Sequence, residues 1–233
     1  MLTIEKHRTV MLSVLKEIYE DTFLGPILGL KGGTLLYILY DLPRFSVDLD
    51  FDLLDPSREE QILPRLEKIL KKFGEIEQLI SKKYTYFGLI NYETGQQGLK
   101  IEISKRNFGS SYEVNNYLGI AIKSMTKPDI LANKLTALLA RKKPANRDVF
   151  DTWFLLNGHW DINWGLIEKK SSVKRDQFIK NCISLLEKWP LESILEGLGE
   201  LIDNKTKDWV KLNLVKDTIF YLKLLKQSSL ETT

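Results

Sequence analysis

Two stretches decide the fold: Lys31-Gly-Gly-Thr-Leu-Leu36, which follows the apolar run Ile27–Leu30, and Val47-Asp-Leu-Asp-Phe-Asp-Leu53. The first predicts a buried strand, a glycine turn and a short helix over Thr34–Tyr40. In the second, apolar residues alternate with aspartates, which is the period-two pattern of a half-buried strand. Together they predict a strand, a turn and a helix next to a strand that has one acidic face.

The rest of the chain has strand patterns first and helical patterns later. Lys83–Asn91 and Leu99–Ser104 predict the two strands of a hairpin, and residues 112–122 are expected to be extended or irregular. After residue 125 the apolar spacing is helical. This order predicts an α+β protein, with a small mixed-sheet core in residues 1–125 and a helical C-terminal lobe in residues 126–233 that completes an active-site cleft.

The composition is that of an ordinary globular protein. Of the 233 residues, 43% are hydrophobic and 28% are charged, and the net charge of +3 neither requires nor excludes a nucleic-acid partner. The single cysteine, Cys182, excludes an internal disulfide, and no Cys/His cluster indicates zinc. The sequence contains no secretory signal and no apolar run of about 18 residues, so we expect a cytoplasmic protein that does not span a membrane.

Asp48 and Asp50 are the candidate metal ligands. Because they are two residues apart on a strand, their side chains point to the same face, where two carboxylates repel each other unless a cation lies between them. Mg²⁺ or Mn²⁺ takes such oxygen ligands and keeps positions for phosphate oxygens and water. Asp52 shares the face and could assist. The alternative is that the three aspartates form the solvated face of an edge strand.

The glycine pair predicts a phosphate site beside these carboxylates. Gly32 and Gly33 at a strand–helix junction allow the backbone to approach a phosphate closely, and the N–H groups that open a helix attract an anion. Thr34 could cap that helix or bind the phosphate through its hydroxyl. Glu102, on the polar face of the strand 99–104, is a candidate third metal ligand, and pairing with a surface lysine is the alternative.

A second group of charged residues lies on the predicted helices. Lys134 and Arg141 are seven residues apart and share a helix face, while Arg147, Asp148 and Asp151 lie at the start of the next helix. A lysine here could hold a triphosphate, and an aspartate could accept or position the proton of an attacking hydroxyl. On spacing alone, a solvated lysine and an aspartate that stabilises a helix N-terminus are the better explanation.

Taken together, these residues resemble the AbiEii/AbiGii-type nucleotidyltransferases. The resemblance is carried by Lys31–Leu36, by Arg44-Phe-Ser-Val-Asp-Leu-Asp-Phe51, by Pro128–Arg141 and by Arg147–Trp153, and it extends over roughly residues 15–160. It implies a DNA polymerase β-like nucleotidyltransferase fold. The family includes toxins of toxin–antitoxin and abortive-infection systems, of which some add nucleotides to the 3′ end of tRNA and others are described as GTP-binding.

The resemblance also implies a role for each candidate residue. It implies phosphate contacts by Gly33 and Thr34, Mg²⁺ binding by Asp48 and Asp50, nucleotide contact by Lys134, and acid/base catalysis by Asp148 or Asp151. We count Gly32 and Arg147 with the nucleotide-binding residues. The expected reaction transfers NMP from an NTP to an acceptor hydroxyl, with RNA such as the tRNA 3′ end as the acceptor and an antitoxin protein as the partner.

Two other functions are compatible with the sequence. An NTP-binding module would bind GTP with Mg²⁺ without transferring a nucleotide. An interaction module would use the C-terminal helices, with tryptophans as anchors, although core positions explain those tryptophans better; they are Trp160, Trp164, Trp189 and Trp209. The pair formed by Asp48 and Asp50 favours the transferase over both.

Overall fold

The computed structural model describes residues 4–95, 97–141 and 145–228. Its contacts divide the chain into two compact units. The first, the sheet unit, comprises Met1–Asp41 and Phe45–Met125, and the second, the helical unit, comprises Leu42–Arg44 and Thr126–Thr233. The predicted α+β class, with a mixed sheet and a helical C-terminal region, is confirmed.

The described part of the sheet unit contains a seven-stranded sheet. Its strands are β1 (Leu28–Lys31), β2 (Asp48–Leu53), β3 (Glu75–Ser81), β4 (Thr85–Asn91), β5 (Leu99–Ser104), β6 (Tyr112–Tyr117) and β7 (Ile120–Met125). The spatial order is β3-β4-β5-β2-β1-β7-β6. β1 pairs with β7, and β2 with β5, in parallel, whereas the other neighbours are antiparallel. The predicted hairpin of residues 83–91 and 99–104 is present as β4 and β5.

Helices accompany the sheet and make up most of the helical unit. In the sheet unit they are α1 (Ile4–Glu20), α2 (Leu24–Ile27), α3 (Gly32–Leu39) and α4 (Ile62–Leu70), with a 3-10 segment at Pro56–Gln61. In the helical unit they are α5 (Lys127–Ala140), α6 (Asn146–Asn157), α7 (Trp164–Ser171), α8 (Arg175–Leu186) and α9 (Asn204–Ser228), with 3-10 turns at Leu191–Ser193 and Gly199–Leu201. None of the helices in the described residues is long and apolar enough to cross a membrane.

Two parts of the sheet differ from the sequence-based expectation. The sequence does not indicate β3, because Glu75, Glu77 and Gln78 are exposed on an edge strand and interrupt the apolar alternation. Residues 112–122, expected to be extended or irregular, contribute to the β6–β7 hairpin. Its turn is Leu118-Gly119, and both of these residues have positive φ angles, a conformation that a leucine rarely adopts and that the apolar pattern does not indicate.

One face of the sheet is apolar and packs against α1 and α4. Leu49, Phe51 and Ile101 point to this face and are fully buried. The Phe51 ring lies 6.2 Å from that of Tyr19 on α1, and each such buried side chain contributes roughly 1.5–3 kcal/mol. Since side chains alternate along a strand, this packing turns the aspartates of β2 to the opposite face.

A buried histidine fixes the start of β2. The ring of His7 on α1 is fully buried, with Nε2 2.8 Å from the carbonyl oxygen of Val47 and Nδ1 2.6 Å from the hydroxyl of Tyr92. Burial lowers the pKa of His7, although the bond to Val47 opposes that shift, so the ring is neutral at physiological pH. The contact ties α1 to the residue that precedes Asp48.

The core of the helical unit contains aromatic residues from several helices. The rings of Trp153 on α6 and Trp209 on α9 lie 4.1 Å apart, and Trp189 is 6% exposed and donates a hydrogen bond to Asn146. Cys182 is buried, and burial raises the pKa of its thiol to about 12. Trp189, Trp209 and Cys182 are therefore structural residues of this unit.

Candidate active site

The turn between β1 and α3 requires glycine at its first position. Gly32 has a φ of +79°, and a Cβ built there would lie 2.5 Å from Oδ2 of Asp50. Any side chain would therefore strain the backbone and collide with the carboxylate. α3 begins at Gly32 rather than at Thr34, so the backbone N–H groups of the glycine turn open the helix, where such groups attract anions.

Asp48 and Asp50 lie on the same face of β2, as their spacing predicts. In the register of the sheet, Asp50 is opposite Lys31 on β1 and Glu102 on β5, and Asp48 is opposite Lys100. Oδ1 of Asp48 is buried and accepts no hydrogen bond from the described residues, and Nζ of Lys100 is 3.8 Å away from it. A buried carboxylate oxygen without a donor is costly unless another cation or donor reaches it.

Asp52 shares this face but is neutralised by its own neighbours. Its Oδ1 is 2.6 Å from Nζ of Lys31, and its Oδ2 accepts a hydrogen bond of 2.5 Å from the hydroxyl of Tyr112. Both carboxylate oxygens are thus engaged. The expectation that Asp52 could assist Asp48 and Asp50 in binding a metal is corrected, because its charge already serves the packing of β1, β2 and β6.

Glu102 lies beside Asp50 on the neighbouring strand, as a third ligand would require. Paired strands are about 4.8 Å apart, and both side chains point to the same face. Within the described residues, however, no group of three histidine, cysteine or acidic side chains is arranged to hold a metal ion. Metal binding by Glu102 stays a prediction that rests on its register alone.

The structure assigns Thr34 a role different from the expected one. The side chain is fully buried, and its hydroxyl lies 2.5 Å from the carbonyl oxygen of Asp48 and 3.0 Å from the hydroxyl of Ser46. Thr34 is the third residue of α3, not its cap. The hydroxyl therefore joins α3 to the start of β2, which leaves the backbone N–H as the group of Thr34 that suits a phosphate.

The arrangement in the sheet unit fits a divalent cation bound together with phosphate. Asp48 and Asp50 provide two hard oxygen ligands, one of which carries a buried oxygen that accepts no hydrogen bond from the described residues. The carboxylate of Asp50 lies directly against the backbone of Gly32. Mg²⁺ in proteins is commonly held by one or two carboxylates, with phosphate oxygens and water completing its shell.

The helical unit contains a separate buried charge cluster formed by Arg44, Lys134, Asp148 and Asp151. The guanidinium of Arg44 donates two hydrogen bonds to the carboxylate of Asp151, from Nε to Oδ1 at 2.6 Å and from Nη2 to Oδ2 at 2.7 Å. Nζ of Lys134 on α5 is 2.6 Å from Oδ2 of Asp151 and 3.9 Å from Oδ1 of Asp148. Two cations thus converge on a single carboxylate that has no exposed surface.

This geometry argues against Asp151 as a catalytic acid or base. Burial alone would raise the pKa of the Asp151 carboxyl, but Arg44 and Lys134 outweigh it and hold the pKa at about 2. A general base needs access to its proton and a pKa near the working pH. In the structure Asp151 anchors Arg44 and Lys134, and its acid/base role stays a prediction.

Asp148 and Arg147 start α6 in different surroundings. The side chain of Asp148 is 6% exposed, and its Oδ2 lies 2.5 Å from Nε of Arg141 without hydrogen-bond geometry. Arg147 is half-buried, and within residues 4–95, 97–141 and 145–228 no carboxylate forms an ion pair with it. The predicted roles of Asp148 in catalysis and of Lys134 and Arg147 in nucleotide binding stay predictions.

Arg44 is the member of the buried charge cluster to which the sequence analysis assigns no role. It stands next to the aspartate strand in sequence, but Leu42–Arg44 belong to the helical unit. Arg44 is 5% exposed, and a buried arginine needs a carboxylate partner. The position of Arg44 between Pro43 and Phe45, just before the aspartate strand, was the available signal, but its partner lies 107 residues further along the chain and cannot be identified from spacing.

Gly32→Ala tests the contact between the glycine turn and Asp50. We expect a larger loss of stability than from Gly119→Ala, the matched control, because both glycines have positive φ but nothing lies within 4 Å of a Cβ at Gly119. The shared backbone strain costs about 1–2 kcal/mol. Urea unfolding and Mn²⁺ titration of both variants measure the difference. Equal stability losses and unchanged Mn²⁺ affinity would contradict the proposed contact.

Asp151→Asn tests the buried charge cluster. Removing this carboxylate leaves Arg44 and Lys134 without their shared anion, so we expect a loss of about 3–5 kcal/mol in the free energy of unfolding. Asp208→Asn is the control, since Asp208 is a surface residue with a 79% exposed side chain, and its change should stay within about 0.5 kcal/mol. Chemical denaturation gives both values, and a small loss for Asp151→Asn would refute the structural role.

One protein family matches most of this chain, and two solved structures share its fold. The family described as "Nucleotidyl transferase AbiEii toxin, Type IV TA system" matches residues 13–212. A crystal structure of a provisionally assigned nucleotidyltransferase from H. pylori has a TM-score of 0.66 and 23% identity, covering 98% of this chain and 97% of that chain. JHP933 from Helicobacter pylori has a TM-score of 0.65 and 22% identity, covering 100% and 96%.

The similar structures establish the fold, whereas the family match establishes the family. At 22% and 23% identity, the solved structures show a shared fold. No curated protein matches the chain significantly. The family match, in contrast, spans most of the sequence, and the predicted resemblance and the nucleotidyltransferase class are confirmed by it. The chain belongs to the AbiEii family of nucleotidyltransferase toxins of type IV toxin–antitoxin systems, which implies a nucleotide substrate and an antitoxin partner.

Proposed function

We propose that this protein transfers NMP from an NTP to an acceptor hydroxyl on RNA, such as the 3′ end of tRNA, with Mg²⁺ or Mn²⁺ as the cofactor. The observation that carries the proposal is the pairing of Asp48 and Asp50 beside the glycine turn. One oxygen of Asp48 is buried and accepts no hydrogen bond from the described residues, and Asp50 lies against Gly32. Both features suit a cation shared between protein and phosphate.

In this proposal the sheet unit binds the reacting phosphates. Asp48 and Asp50 hold the cation, which when bound neutralises the charge that develops on the phosphate oxygens. The backbone N–H groups of Gly32, Gly33 and Thr34 donate to phosphate oxygens at the start of α3. The acceptor hydroxyl forms a bond to the α-phosphorus and gives its proton to a base, the role predicted for Asp148. The bond from the α-phosphorus to the α,β-bridging oxygen breaks, and pyrophosphate leaves.

The helical unit contributes positive charge and a positioning carboxylate. Lys134 and Arg147 are assigned to the nucleotide phosphates. Asp148, which faces Arg141 and Lys134, positions these cations or the acceptor hydroxyl. Asp151 holds Lys134 in place through its 2.6 Å ion pair. Loss of the Asp151 anchor would therefore lower activity indirectly, by freeing the lysine.

The substrates suggest where the protein acts. NTP and tRNA are cytoplasmic, and modification of a tRNA 3′ end would stop translation, as expected of a toxin. We accordingly propose the cytoplasm as the compartment. Glu102 is proposed as an auxiliary metal ligand because of its register beside Asp50.

Label transfer from each NTP in turn to total tRNA tests this function. We expect Asp48→Asn and Asp50→Asn to lower the rate at least about 100-fold, because a metal ligand supplies several kcal/mol of transition-state stabilisation. Asp52→Asn is the matched control on the same strand face, since Lys31 and Tyr112 already engage its carboxylate, and it should retain most activity.

The assay also separates the alternatives. Unchanged transfer by a variant lacking both Asp48 and Asp50 would contradict the assignment of these residues. If wild-type protein binds NTP with Mg²⁺ but labels no RNA, either another acceptor is used or the protein is an NTP-binding module without transfer activity. Adding total protein extract as acceptor distinguishes these two results.

A further inference from the structure

A basic and aromatic patch lies at one end of the sheet unit, outside the carboxylate site. We call it the hairpin patch. It consists of residues from the β3–β4 turn and from β4, together with one residue just after the end of β5. Its members are Lys82, Lys83, Tyr84, Phe87 and Arg106. The turn is joined to the end of β5 by a backbone bond of 2.9 Å, from the N–H of Lys105 to the carbonyl oxygen of Tyr84. The patch is therefore held by strand pairing.

Each aromatic ring of the hairpin patch has at least one cation beside it. Nζ of Lys82 lies 4.1 Å from the centre of the Phe87 ring. Tyr84 is 49% exposed, with Nζ of Lys83 at 5.1 Å and the guanidinium of Arg106 at 5.5 Å from its ring centre. The hairpin end thus carries two ring–cation groups, Phe87 with Lys82 and Tyr84 with Lys83 and Arg106; Tyr84 is exposed and Phe87 half-buried.

The charges of the hairpin patch form no ion pairs with the residues that the structure describes. In the described parts of the chain, no carboxylate lies within 4.0 Å of the charged nitrogens of Lys82, Lys83 or Arg106. Lys105, their neighbour, differs: its Nζ is 3.3 Å from Glu59 and 2.9 Å from the hydroxyl of Ser81. Three cations are thus available to an anionic ligand, whereas Lys105 serves the internal packing.

The register of the sheet places Phe87, which has Lys82 beside its ring, on the same face as the carboxylate site. Asp50 on β2 is opposite Glu102 on β5, and Glu102 is opposite Phe87 on β4. Residues in register on neighbouring strands point to the same face, so these three side chains form one row. Two strand spacings separate Asp50 from Phe87, or about 10 Å. A polymer of a few residues could therefore lie on the patch and reach the carboxylates.

We propose that the hairpin patch binds the single-stranded end of the RNA acceptor, an inference that rests on the proposed function and specifies where its acceptor lies. Unpaired bases stack on Tyr84 and Phe87, and the adjacent cations contact the phosphates between those bases. Alternation of aromatic rings and cations is how single-stranded nucleic acids are bound without sequence readout. A paired duplex does not fit this role, because its bases are stacked on each other.

The test measures binding of a short, fluorescently labelled, unstructured RNA in the absence of NTP, by fluorescence anisotropy. Tyr84→Ala should weaken binding about five- to 150-fold, the effect of losing one base–aromatic stack. The double variant Lys82→Ala/Lys83→Ala should reduce the slope of log affinity against log salt by about 1.4, since each phosphate contact to a single strand contributes about 0.7. A duplex RNA probe should not respond to Tyr84→Ala.

The control removes the same charge from elsewhere in the sheet unit. Lys68 and Lys71 lie on the outer side of α4, which packs on the opposite face of the sheet, so Lys68→Ala/Lys71→Ala should leave the affinity and salt slope close to wild type. Thermal melting checks that each variant is folded. Phe87→Leu, which keeps an apolar side chain while removing the ring, tests the second stacking position and should also weaken binding.

The outcomes separate this inference from the proposed function. The inference is overturned if wild-type protein does not bind the single-stranded RNA, or if the patch variants and the control weaken binding equally. RNA binding that depends on the patch, without label transfer by wild type, would retain the inference and remove the transfer reaction. Label transfer that is insensitive to Tyr84→Ala and to Lys82→Ala/Lys83→Ala would retain the reaction and refute the patch.

Discussion

The repulsion between two carboxylates on one strand face is the constraint on which this site depends. Asp48 and Asp50 follow each other on the same side of β2, so folding brings two carboxylates together on this face of the sheet. Lys100 approaches one buried oxygen of Asp48 only to 3.8 Å. The surroundings hold the pair in place: His7 and Thr34 bind the carbonyls of Val47 and Asp48, and Gly32 leaves room for Asp50.

Other acidic side chains of the protein are neutralised from within. Asp52 is held by Lys31 and Tyr112, and Asp151 by Arg44 and Lys134. These two carboxylates resemble the site residues in sequence, since each lies within two or three positions of another aspartate. Their partners distinguish them: a carboxylate held by two protein groups stabilises packing, whereas one oxygen of Asp48 accepts no hydrogen bond from the described residues and could take an external cation.

Sequence reasoning identified β2 and the glycine turn because period-two alternation and paired glycines are local signals. The β4–β5 hairpin was found for the same reason. Strand β3 was missed, since its polar edge residues hide the alternation, and the β6–β7 hairpin was missed because its Leu118-Gly119 turn lacks the usual polar residue. The partnership of Arg44 with Asp151 and the internal role of the Thr34 hydroxyl could not be predicted, because each joins segments whose proximity only the fold establishes.

The most direct test of the Asp48/Asp50 metal site is thermal melting with and without Mn²⁺ and a non-hydrolysable NTP analogue. A ligand that binds only the folded state at 100 times its Kd adds about 2.7 kcal/mol of stability. Wild type should show a raised Tm with both ligands present, and the Asp48→Asn/Asp50→Asn variant should not. An equal rise in Tm for both proteins would contradict the account.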